Sequence, residues 1–334
     1  MTCFIVPPYL LRRIASLDDP RFERAAVAAQ ASLMLERPYV APVVSQSLAA
    51  RKIEAVSRTI ASAGNSEELP GELLKQPFDD AAQEAWDGLG QTHDLFATVF
   101  ERASIDDQNL RLDATVHYGR NYDNAFWNGE RMVFGDGDNE IFRRMTASVS
   151  VIGHELTHGV TQYTAGLEYQ GQSGALNESI SDVFGVLVEQ FTRSQSVDQA
   201  SWLIGEGLFT EAVEGNALRS MKAPGTAYDD DVLGKDPQPD HMSGYIETRD
   251  DNGGVHLNSA IPNRAFYLVA SELGGNAWEH AGRIWYDTLT GSLSSTASFA
   301  DFAARTTDAA ATRFGSASAE LAAVTSAWQT VGVQ

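Results

Sequence analysis

The segment His154-Glu155-Leu156-Thr157-His158 has the residue types and the spacing of a metal site. Residues four apart lie on one face of an α-helix, so the imidazoles of His154 and His158 point at one spot. Glu155 lies beside them, where its carboxylate can reach a water on the same metal. The pattern predicts a zinc hydrolase site. It also occurs in helices that hold no metal, so a third ligand must decide between the two interpretations.

A second helix, which contains Asn177-Glu178-Ser179-Ile180-Ser181-Asp182, supplies that ligand. Glu178 completes a set of two histidines and one glutamate, which leaves the fourth position of a catalytic zinc free for water. Asp182 can accept the other ring N–H of a ligand histidine, and we give Asn177 the same supporting role. Glu178 could instead be an acid favoured near a helix N-terminus, but its coincidence with the first motif makes this alternative the weaker one.

The periodicity of apolar residues predicts the elements that position these side chains. Residues 53–138 combine short helical patches with β-rich pieces at 115–118 and 132–134, which indicates an α+β lobe. Six later segments have helical spacing, so a mainly α-helical second lobe follows. The predicted fold class is therefore α+β, with two lobes; the family resemblance described below implies a zinc cleft between them. The six helical segments are 145–163, 174–193, 256–273, 278–290, 299–314 and 318–330.

A separate N-terminal unit precedes the two lobes. It has an amphipathic stretch at 10–35 and an extended stretch at 37–42. The small polar segment 45–51 that follows looks like an exposed linker which a protease could cut. The predicted units are an N-terminal segment, a first lobe that ends with the zinc helix, and a second lobe, at residues 1–50, 51–163 and 164–334.

Charge and cysteine content exclude several function classes. The chain of 334 residues has 45 acidic against 24 basic residues, and its net charge of −21 disfavours binding to nucleic acid or to an anionic membrane surface. Cys3 is the only cysteine, so an intramolecular disulfide and a cysteine-rich metal site are both excluded. Any metal must therefore be held by histidine and carboxylate side chains.

The sequence has no usual export signal. No segment approaches the roughly 18 uninterrupted apolar residues of a membrane-spanning helix. Arg12 and Arg13 follow the first apolar patch, whereas a secretory signal has its basic residues before that patch. We expect a protein that stays in the cytoplasm or leaves it by a non-standard route.

Five further segments resemble those of the thermolysin family, whose zinc motif and glutamate ligand this sequence also matches. The resemblance covers roughly residues 69–332 and keeps the family's order of motifs. The five segments are Asn124-Ala125-Phe126-Trp127-Asn128-Gly129, Gly135-Asp136-Gly137-Asp138, Gly166-Leu167-Glu168-Tyr169-Gln170, Ala217-Leu218-Arg219-Ser220 and Asp251-Asn252-Gly253-Gly254-Val255-His256-Leu257-Asn258-Ser259.

The resemblance implies a catalytic role for four residues. Zn²⁺ lowers the pKa of its water, and Glu155 would take the proton as general base and pass it to the leaving amine. Tyr169 and His256 would donate hydrogen bonds to the developing oxyanion. Asp251 would orient His256.

Substrate contacts follow from the same resemblance. It implies that Asn124, Ala125 and Trp127 of an edge strand pair with the substrate backbone and that Arg219 holds a substrate carbonyl. Without its motif, a surface or ion-paired arginine would be the better interpretation of Arg219. The positions that match the main pocket are all apolar, which implies a hydrophobic residue just after the cut bond. Periodicity alone would assign them to the core; they are Phe142, Met145, Val151, Ile204, Leu208 and Leu218.

The sequence departs from the family at its double calcium site. Glu189 and Glu206 match acidic residues of that site, but Ser150, Ser201 and Leu203 stand at other matching positions. Because sites with few oxygen ligands bind calcium weakly, we expect at most one weak calcium near Glu189 and Glu206.

The N-terminal segment resembles that of the protealysin-like subgroup through Pro7-Pro8-Tyr9-Leu10-Leu11. The precursors of this subgroup have a short pro-segment and lack a usual signal peptide. The resemblance implies an intramolecular inhibitor that covers the cleft and is removed by self-cleavage in the linker 45–51; the alternative is a plain stabilising arm. Cys3 could meet the zinc as a thiolate, although a small hydrophobic cysteine is the more common case.

The sequence therefore predicts the precursor of a monomeric zinc endopeptidase that acts on peptides or proteins at neutral pH. One alternative is a catalytically silent homologue that binds or inhibits, but such proteins usually lose a ligand or the general base, and here all are present. Another is zinc hydrolysis of a non-peptide substrate, which leaves the substrate-pairing strand unexplained.

Overall fold

A computed structural model describes residues 4–34 and 52–334. The predictions for Cys3, for the extended stretch 37–42 and for the linker 45–51 lie outside the described residues. Within those two ranges, no helix has the length and apolar character needed to cross a bilayer.

Two helices form the described part of the N-terminal segment: α1, Pro8–Ala15, and α2, Glu23–Met34. The sequence predicted one amphipathic stretch here. A 3₁₀ turn at Pro20–Phe22 interrupts it, because the Asp19 side chain accepts a hydrogen bond from the Arg21 backbone and so starts a new element. The apolar face of α1 is buried in the main hydrophobic core of the molecule.

The first lobe is built on a five-stranded sheet. Its strands are β1, Arg58–Ser62, β2, Glu72–Leu73, β3, Leu112–Val116, β4, Ala125–Trp127, and β5, Met132–Phe134. Its inner strands are parallel neighbours, and its two outer strands run antiparallel to them. The order β2-β1-β3-β5-β4 leaves β4 at an edge, where another peptide can pair with it. The predicted strand at 115–118 ends at Val116 because His117 has a φ of 55°.

One helix of 21 residues, α3, Asp80–Phe100, packs on this sheet where the sequence predicted short helical patches. Gly88 and Gly90 weaken the helical pattern in the sequence. The structure shows why Gly88 is tolerated: a Cβ there would lie 2.4 Å from Cδ1 of Ile152. Asp79 caps α3 by accepting a hydrogen bond from the Ala82 backbone at 2.9 Å.

The zinc motif lies on α4, Val149–Gln162, which packs against α5, Gly171–Arg193. The second lobe also has two short ribbons and five further helices. The predicted helix 256–273 is divided between two of these, which confirms helical structure but not its continuity. The ribbons are β6, Leu203–Ile204, with β7, Arg219–Ser220, and β8, Asp229–Asp230, with β9, Gly234–Lys235. The helices are α6, Asp251–Asn258, α7, Ala260–Leu273, α8, Ala281–Thr290, α9, Phe299–Phe314, and α10, Ala319–Thr330.

Glycines allow α4 and α5 to approach closely. A Cβ on Gly185 of α5 would lie 2.4 Å from the backbone oxygen of Ser150 in α4. A Cβ on Gly153 would lie 3.1 Å from the Cα of Gly185. This close contact brings the zinc motif and the downstream glutamate together, and it completes the predicted two-lobed α+β fold.

Candidate metal centre and substrate cleft

Two histidines of α4 and one glutamate of α5 converge on one point. The Nε2 atoms of His154 and His158 are 3.1 Å apart. Oε2 of Glu178 lies 3.5 Å from Nε2 of His154, and its Oε1 lies 3.5 Å from Nε2 of His158. All three side chains are buried, and in residues 4–34 and 52–334 no other group of three His, Cys, Asp or Glu brings its ligand atoms within 4.8 Å of one another.

Hydrogen bonds at the outer ring nitrogens fix the tautomer of both histidines. Nδ1 of His154 is 2.8 Å from Asp182 Oδ1, and Nδ1 of His158 is 2.8 Å from Asn177 Oδ1. Because both partners are acceptors, each Nδ1 carries the proton and each Nε2 has a lone pair. Two lone pairs at 3.1 Å next to a carboxylate repel each other unless a cation lies among them. The residues therefore fit zinc.

Burial and neighbouring charges keep these groups in the protonation states that a metal requires. Burial lowers the pKa of His158 to about 4, so its imidazole is neutral at pH 7. Burial would raise the pKa of Glu178, but the nearby histidines outweigh it and lower this pKa, so the carboxylate is ionised. Arg219 and His154 outweigh burial in the same way and hold the pKa of Asp182 well below its usual value.

Glu155, the predicted general base, is buried next to the first ligand. Its Oε2 accepts a hydrogen bond from the backbone N–H of Trp127 at 2.9 Å. Trp127 is the last residue of β4. The bond therefore ties the carboxylate on the zinc helix to the edge strand.

His256, Asp251 and Tyr169 form a second polar group beside Glu178. Asp251 accepts hydrogen bonds from Nδ1 of His256 at 2.6 Å and from its backbone N–H at 2.9 Å. The Tyr169 hydroxyl donates to Glu178 and lies 3.3 Å from His256 Nε2. Burial lowers the pKa of His256, but the charges of Asp251 and Glu178 raise it more, to about 9. Both ring nitrogens of His256 are therefore donors at neutral pH.

A left-handed turn places Asp251 against His256. Asp251, Asn252, Gly253 and Gly254 have φ values of 52°, 50°, 86° and 74°. A Cβ on Gly254 would lie 2.9 Å from the side chain of Asn258, so the turn requires glycine there. The predicted motif at 251–259 thus contains the backbone geometry that directs the carboxylate.

Arg219, predicted to hold a substrate carbonyl, is fully buried. Its Nε and Nη2 donate to the two oxygens of Asp182 at 2.9 and 2.8 Å. Its Nη1 donates to the backbone carbonyl of Ile5 at 2.9 Å. Arg219 is thus ion-paired, and the carbonyl that it binds here belongs to Ile5; its contact with a substrate carbonyl stays a prediction.

The predicted substrate strand contacts the N-terminal segment of the chain itself. Asn124 accepts a hydrogen bond from Val6 N at 3.0 Å and donates one to Val6 O at 3.1 Å. The carbonyl of Ala125 accepts from Ile5 N at 3.3 Å. The backbone that lies along this edge is thus that of residues 5 and 6.

The six predicted pocket residues are all fully buried. They belong to one hydrophobic cluster that also contains Ile5, whose exposure is 0%. In this form of the chain they are core residues, as periodicity alone indicated. Their apolar environment includes a side chain of the N-terminal segment.

At the predicted calcium position, Glu189 is already paired with the guanidinium of an arginine. Arg193, one helical turn after Glu189, forms an ion pair with it. Burial and the charge of Glu206 raise the pKa of Glu189, and Ser150 bonds to the same carboxylate. Ser201 is exposed and Leu203 has no side-chain oxygen.

Three supporting polar residues were not predicted. Asn263 Nδ2 donates to Asp182 at 2.8 Å, Gln238 Nε2 donates to the backbone carbonyl of His256 at 2.6 Å, and the Ser181 hydroxyl is 3.1 Å from His158 Nδ1. Asn263 and Ser181 are buried polar residues within helices, a signal that could have been followed. Gln238 lies in a loop and has no such pattern.

Fold and site together define a two-lobed metallohydrolase whose cleft binds peptide backbone. Residues 53–162 match the family model of the thermolysin metallopeptidase catalytic domain, and residues 165–333 match that of the thermolysin metallopeptidase alpha-helical domain. The chain is 49% identical to an extracellular metalloprotease of Pectobacterium carotovorum subsp. carotovorum, over 99% of this chain and 96% of the relative. It therefore belongs to the thermolysin family and is a zinc metalloendopeptidase of the protealysin-like subgroup.

Two further similarities bear on the N-terminal segment. A thermolysin of Alicyclobacillus acidocaldarius subsp. acidocaldarius is 42% identical over 79% of this chain, which spans 49% of that relative. The solved precursor of protealysin, a metalloproteinase from Serratia proteamaculans, is 50% identical with a TM-score of 0.90, over 99% of this chain and 100% of that chain. The match to the protealysin precursor includes the N-terminal segment, whereas the match to the thermolysin covers less of this chain.

Proposed function

We propose that this endopeptidase cuts peptide bonds that precede a hydrophobic residue and uses Glu155 as general base. The main support for the proposal is a backbone carbonyl of the chain itself that is bound at the metal centre. Phe4 O accepts a hydrogen bond from His256 Nε2 at 2.8 Å, and that nitrogen is 3.5 Å from the ligand Glu178. A carbonyl in this position lies where the predicted oxyanion donors and the metal ligands meet.

The residues of the centre divide the chemistry among them. Zinc held by His154, His158 and Glu178 would supply Lewis acidity to the carbonyl and acidity to a water. Glu155 takes a proton from that water and passes it to the leaving amine. The backbone bond from β4 keeps its carboxylate in place.

A second group stabilises charge and holds substrate. His256 and Tyr169 donate hydrogen bonds to the oxygen that becomes negative, and Asp251 keeps His256 protonated and oriented. Arg219 holds the next carbonyl along the peptide. Asn124 and Ala125 bind the peptide backbone along the cleft.

The N-terminal segment, residues 1–50, acts as an intramolecular inhibitor in this proposal. The support is that residues 4–6 bond to Asn124, Arg219 and His256, the groups assigned to substrate. Self-cleavage in the linker 45–51 would release it. Purified Glu155→Ala should stay intact while wild type shortens; equal shortening of both without added protease would refute self-cleavage.

At most one weak calcium binds near Glu189 and Glu206 in this proposal. The Arg193 ion pair supports it, because a guanidinium already neutralises the Glu189 carboxylate. With zinc held fixed, the melting temperature should be the same with added calcium and with a calcium chelator. A large rise with calcium would contradict the proposal.

We place the active enzyme outside the cytoplasm as a monomer that acts on peptides or proteins. The name of the Pectobacterium relative favours export over retention. Immunoblots of culture medium and lysate, beside a cytoplasmic marker, test the location, and sedimentation tests the oligomeric state.

The preference for hydrophobic residues is tested with quenched peptides that differ only in the residue after the cut bond. Leu and Phe should give a kcat/KM at least about tenfold above Gly or Asp, because the pocket is apolar. A zinc chelator should abolish cleavage, and added zinc should restore it. Equal rates across the series would refute the preference, and Glu155→Gln with full zinc serves as the inactive control. The silent alternative is not favoured, because every required group is present.

A further inference from the structure

The backbone of Ile5 and Val6, near the start of the described chain, makes consecutive hydrogen bonds to the cleft. Ile5 N donates to Ala125 O, Ile5 O accepts from Arg219, and both backbone groups of Val6 bond to the Asn124 side chain. Each contact uses a group that the proposed function assigns to a substrate backbone. The segment is therefore bound as a substrate would be, and the question is which of its peptide bonds lies at the reactive position.

The carbonyl of Phe4 identifies that bond. It accepts a hydrogen bond from Nε2 of His256 at 2.8 Å, while the Tyr169 hydroxyl lies 3.3 Å from the same nitrogen. The Phe4 ring stacks on the His256 ring with 5.3 Å between centroids. The next carbonyl, that of Ile5, is held instead by Arg219. Only the Phe4–Ile5 bond, among those of residues 4–6, thus has its carbonyl beside the oxyanion donors.

The residue after this bond also fits the proposed specificity. Ile5 has an exposure of 0% and lies in the same hydrophobic cluster as the six predicted pocket residues. A hydrophobic residue immediately after the reactive carbonyl is what the pocket was predicted to accept. The bond therefore satisfies both the backbone and the side-chain requirements of a substrate.

Helix α1 and helix α2 hold this segment in place. Arg13 donates to the backbone carbonyls of Asp231 and Val232 at 2.6 and 3.2 Å. The Glu140 carboxylate accepts from Arg24 Nε at 2.6 Å and from Ala25 N at 2.9 Å. The scissile bond is thus presented within the same molecule, which gives a high effective concentration.

We propose that the enzyme hydrolyses its own Phe4–Ile5 bond within one molecule and releases residues 1–4. One water is consumed: its oxygen bonds to the Phe4 carbonyl carbon, the C–N bond breaks, and the Ile5 nitrogen receives a proton. The products are a peptide that ends in the carboxylate of Phe4 and a chain that begins with the amine of Ile5. The inference rests on the proposed peptidase function.

Cleavage at this bond leaves the enzyme inhibited. The contacts of Ile5, Val6, α1 and α2 all lie after the cut and remain with the long product. The trimmed segment stays docked as a bound product until the linker at 45–51 is cut. Maturation therefore has two cleavages, and the first one is not activating.

The test uses the full chain with a C-terminal purification tag, prepared with chelator and started by adding zinc. Intact mass and N-terminal sequencing over time should show a chain that begins Ile5-Val6-Pro7. Its rate of appearance should not change when the protein is diluted 10- to about 100-fold. A quenched peptide in the same samples reports the proposed peptidase activity after linker cleavage.

Three variants provide the controls. Glu155→Gln should keep residues 1–4. Ile5→Asp should slow the first cleavage by about 100-fold, because a carboxylate must enter an apolar pocket. Ile5→Leu should be trimmed at nearly the wild-type rate, which shows that the site and not the general fold was altered by Ile5→Asp.

Several outcomes would overturn the inference. If the quenched peptide is cut but the Phe4–Ile5 bond remains intact, the inference is wrong and the proposed function stands. If neither is cut by the zinc-loaded chain, both are wrong. Trimming of Glu155→Gln at the wild-type rate, or a rate that falls in proportion to dilution, would also refute self-cleavage within one molecule.

Discussion

At the scale of single residues, the site consists of histidines whose protons are fixed by acidic or amide partners. Asp182 accepts a hydrogen bond from Nδ1 of His154, and Asp251 accepts one from Nδ1 of His256. Asp182 also pairs with Arg219, so one buried carboxylate links a metal ligand to the arginine that holds a backbone carbonyl. One side chain therefore contacts both the metal centre and the arginine that binds the Ile5 carbonyl.

Asp251→Asn should lower kcat by about 10²- to 10³-fold, because asparagine does not hold His256 in its cationic form. KM and zinc content should change little, since Asp251 is not a ligand. Asp250→Asn is the control, because that neighbouring side chain is exposed and makes no capping bond. Steady-state kinetics on a quenched peptide measures the effect, and an unchanged kcat at full zinc would contradict the role of Asp251.

Helical spacing made the metal ligands predictable, but it did not predict the residues that hydrogen-bond to the ligands and to their partners. His154, His158 and Glu178 are brought together by two adjacent helices, each with a readable period. Asn263 reaches Asp182 from 81 residues away, and no local pattern fixes that distance. The Trp127 contact with Glu155 uses a backbone N–H, which carries no residue signature.

At the scale of elements, the close contact of α4 and α5 is required to assemble the metal centre. Gly185→Ala should lower the free energy of unfolding by about 1–3 kcal/mol, because its Cβ would meet backbone at 2.4 Å. Zinc affinity should also fall, since the two helices must separate. Denaturant unfolding and competition with a chelator measure the two effects.

Gly90→Ala in α3 is the matched control for this prediction. Its Cβ would meet the end of the Arg58 side chain, which can move if it gives up its hydrogen bond to the Trp86 carbonyl, whereas a backbone atom cannot move in this way. We expect a smaller loss of stability and unchanged zinc affinity. Equal losses in both variants would show that helix packing at Gly185 is not special.

His117 connects the start of α3 to the loop after β5. Its Nδ1 is 2.8 Å from Asp136, and its Nε2 is 3.0 Å from Asp79, the N-cap of α3. The hydrogen bond with Asp136 raises the pKa of His117 most, burial opposes it, and the result is about 9. Because this folded-state pKa exceeds the ordinary value of 6.5, the stabilisation is complete below pH 6.5 and is lost as pH rises through about 9.

His117→Gln should therefore lower the melting temperature clearly near pH 6 and by much less near about pH 10. The comparison is made by thermal unfolding of zinc-loaded chains that also carry Glu155→Gln, so that self-cleavage does not interfere. The same difference at both pH values would contradict the charged bridge.

The elements of the second lobe could be predicted well because their ends are marked. Helix α9 begins after Ser298, which forms a capping box with Asp301, and its observed bounds equal the predicted 299–314. Helix α3 was predicted only as patches, because Gly88 and Gly90 weaken the periodic signal, and Gly88 serves packing against α4. Tertiary contacts make α3 one continuous helix, and such contacts cannot be seen in the sequence.

At the scale of the whole molecule, the N-terminal segment joins the two lobes. It bonds to Asn124 and Glu140 in the first lobe and to Arg219 and His256 in the second. The sequence predicted that this segment covers the cleft, but only through family resemblance. Its partners lie up to 252 residues away, so their identity required the folded structure.

The central claim is that His154, His158 and Glu178 hold one zinc that hydrolyses peptide bonds. The most direct test is the zinc content of purified chains dialysed against a weak chelator, measured beside peptidase activity. Wild type and Glu155→Gln should each retain one zinc per chain, whereas Glu178→Ala should retain none and be inactive. A Glu178→Ala chain with full zinc and wild-type activity would contradict the claim.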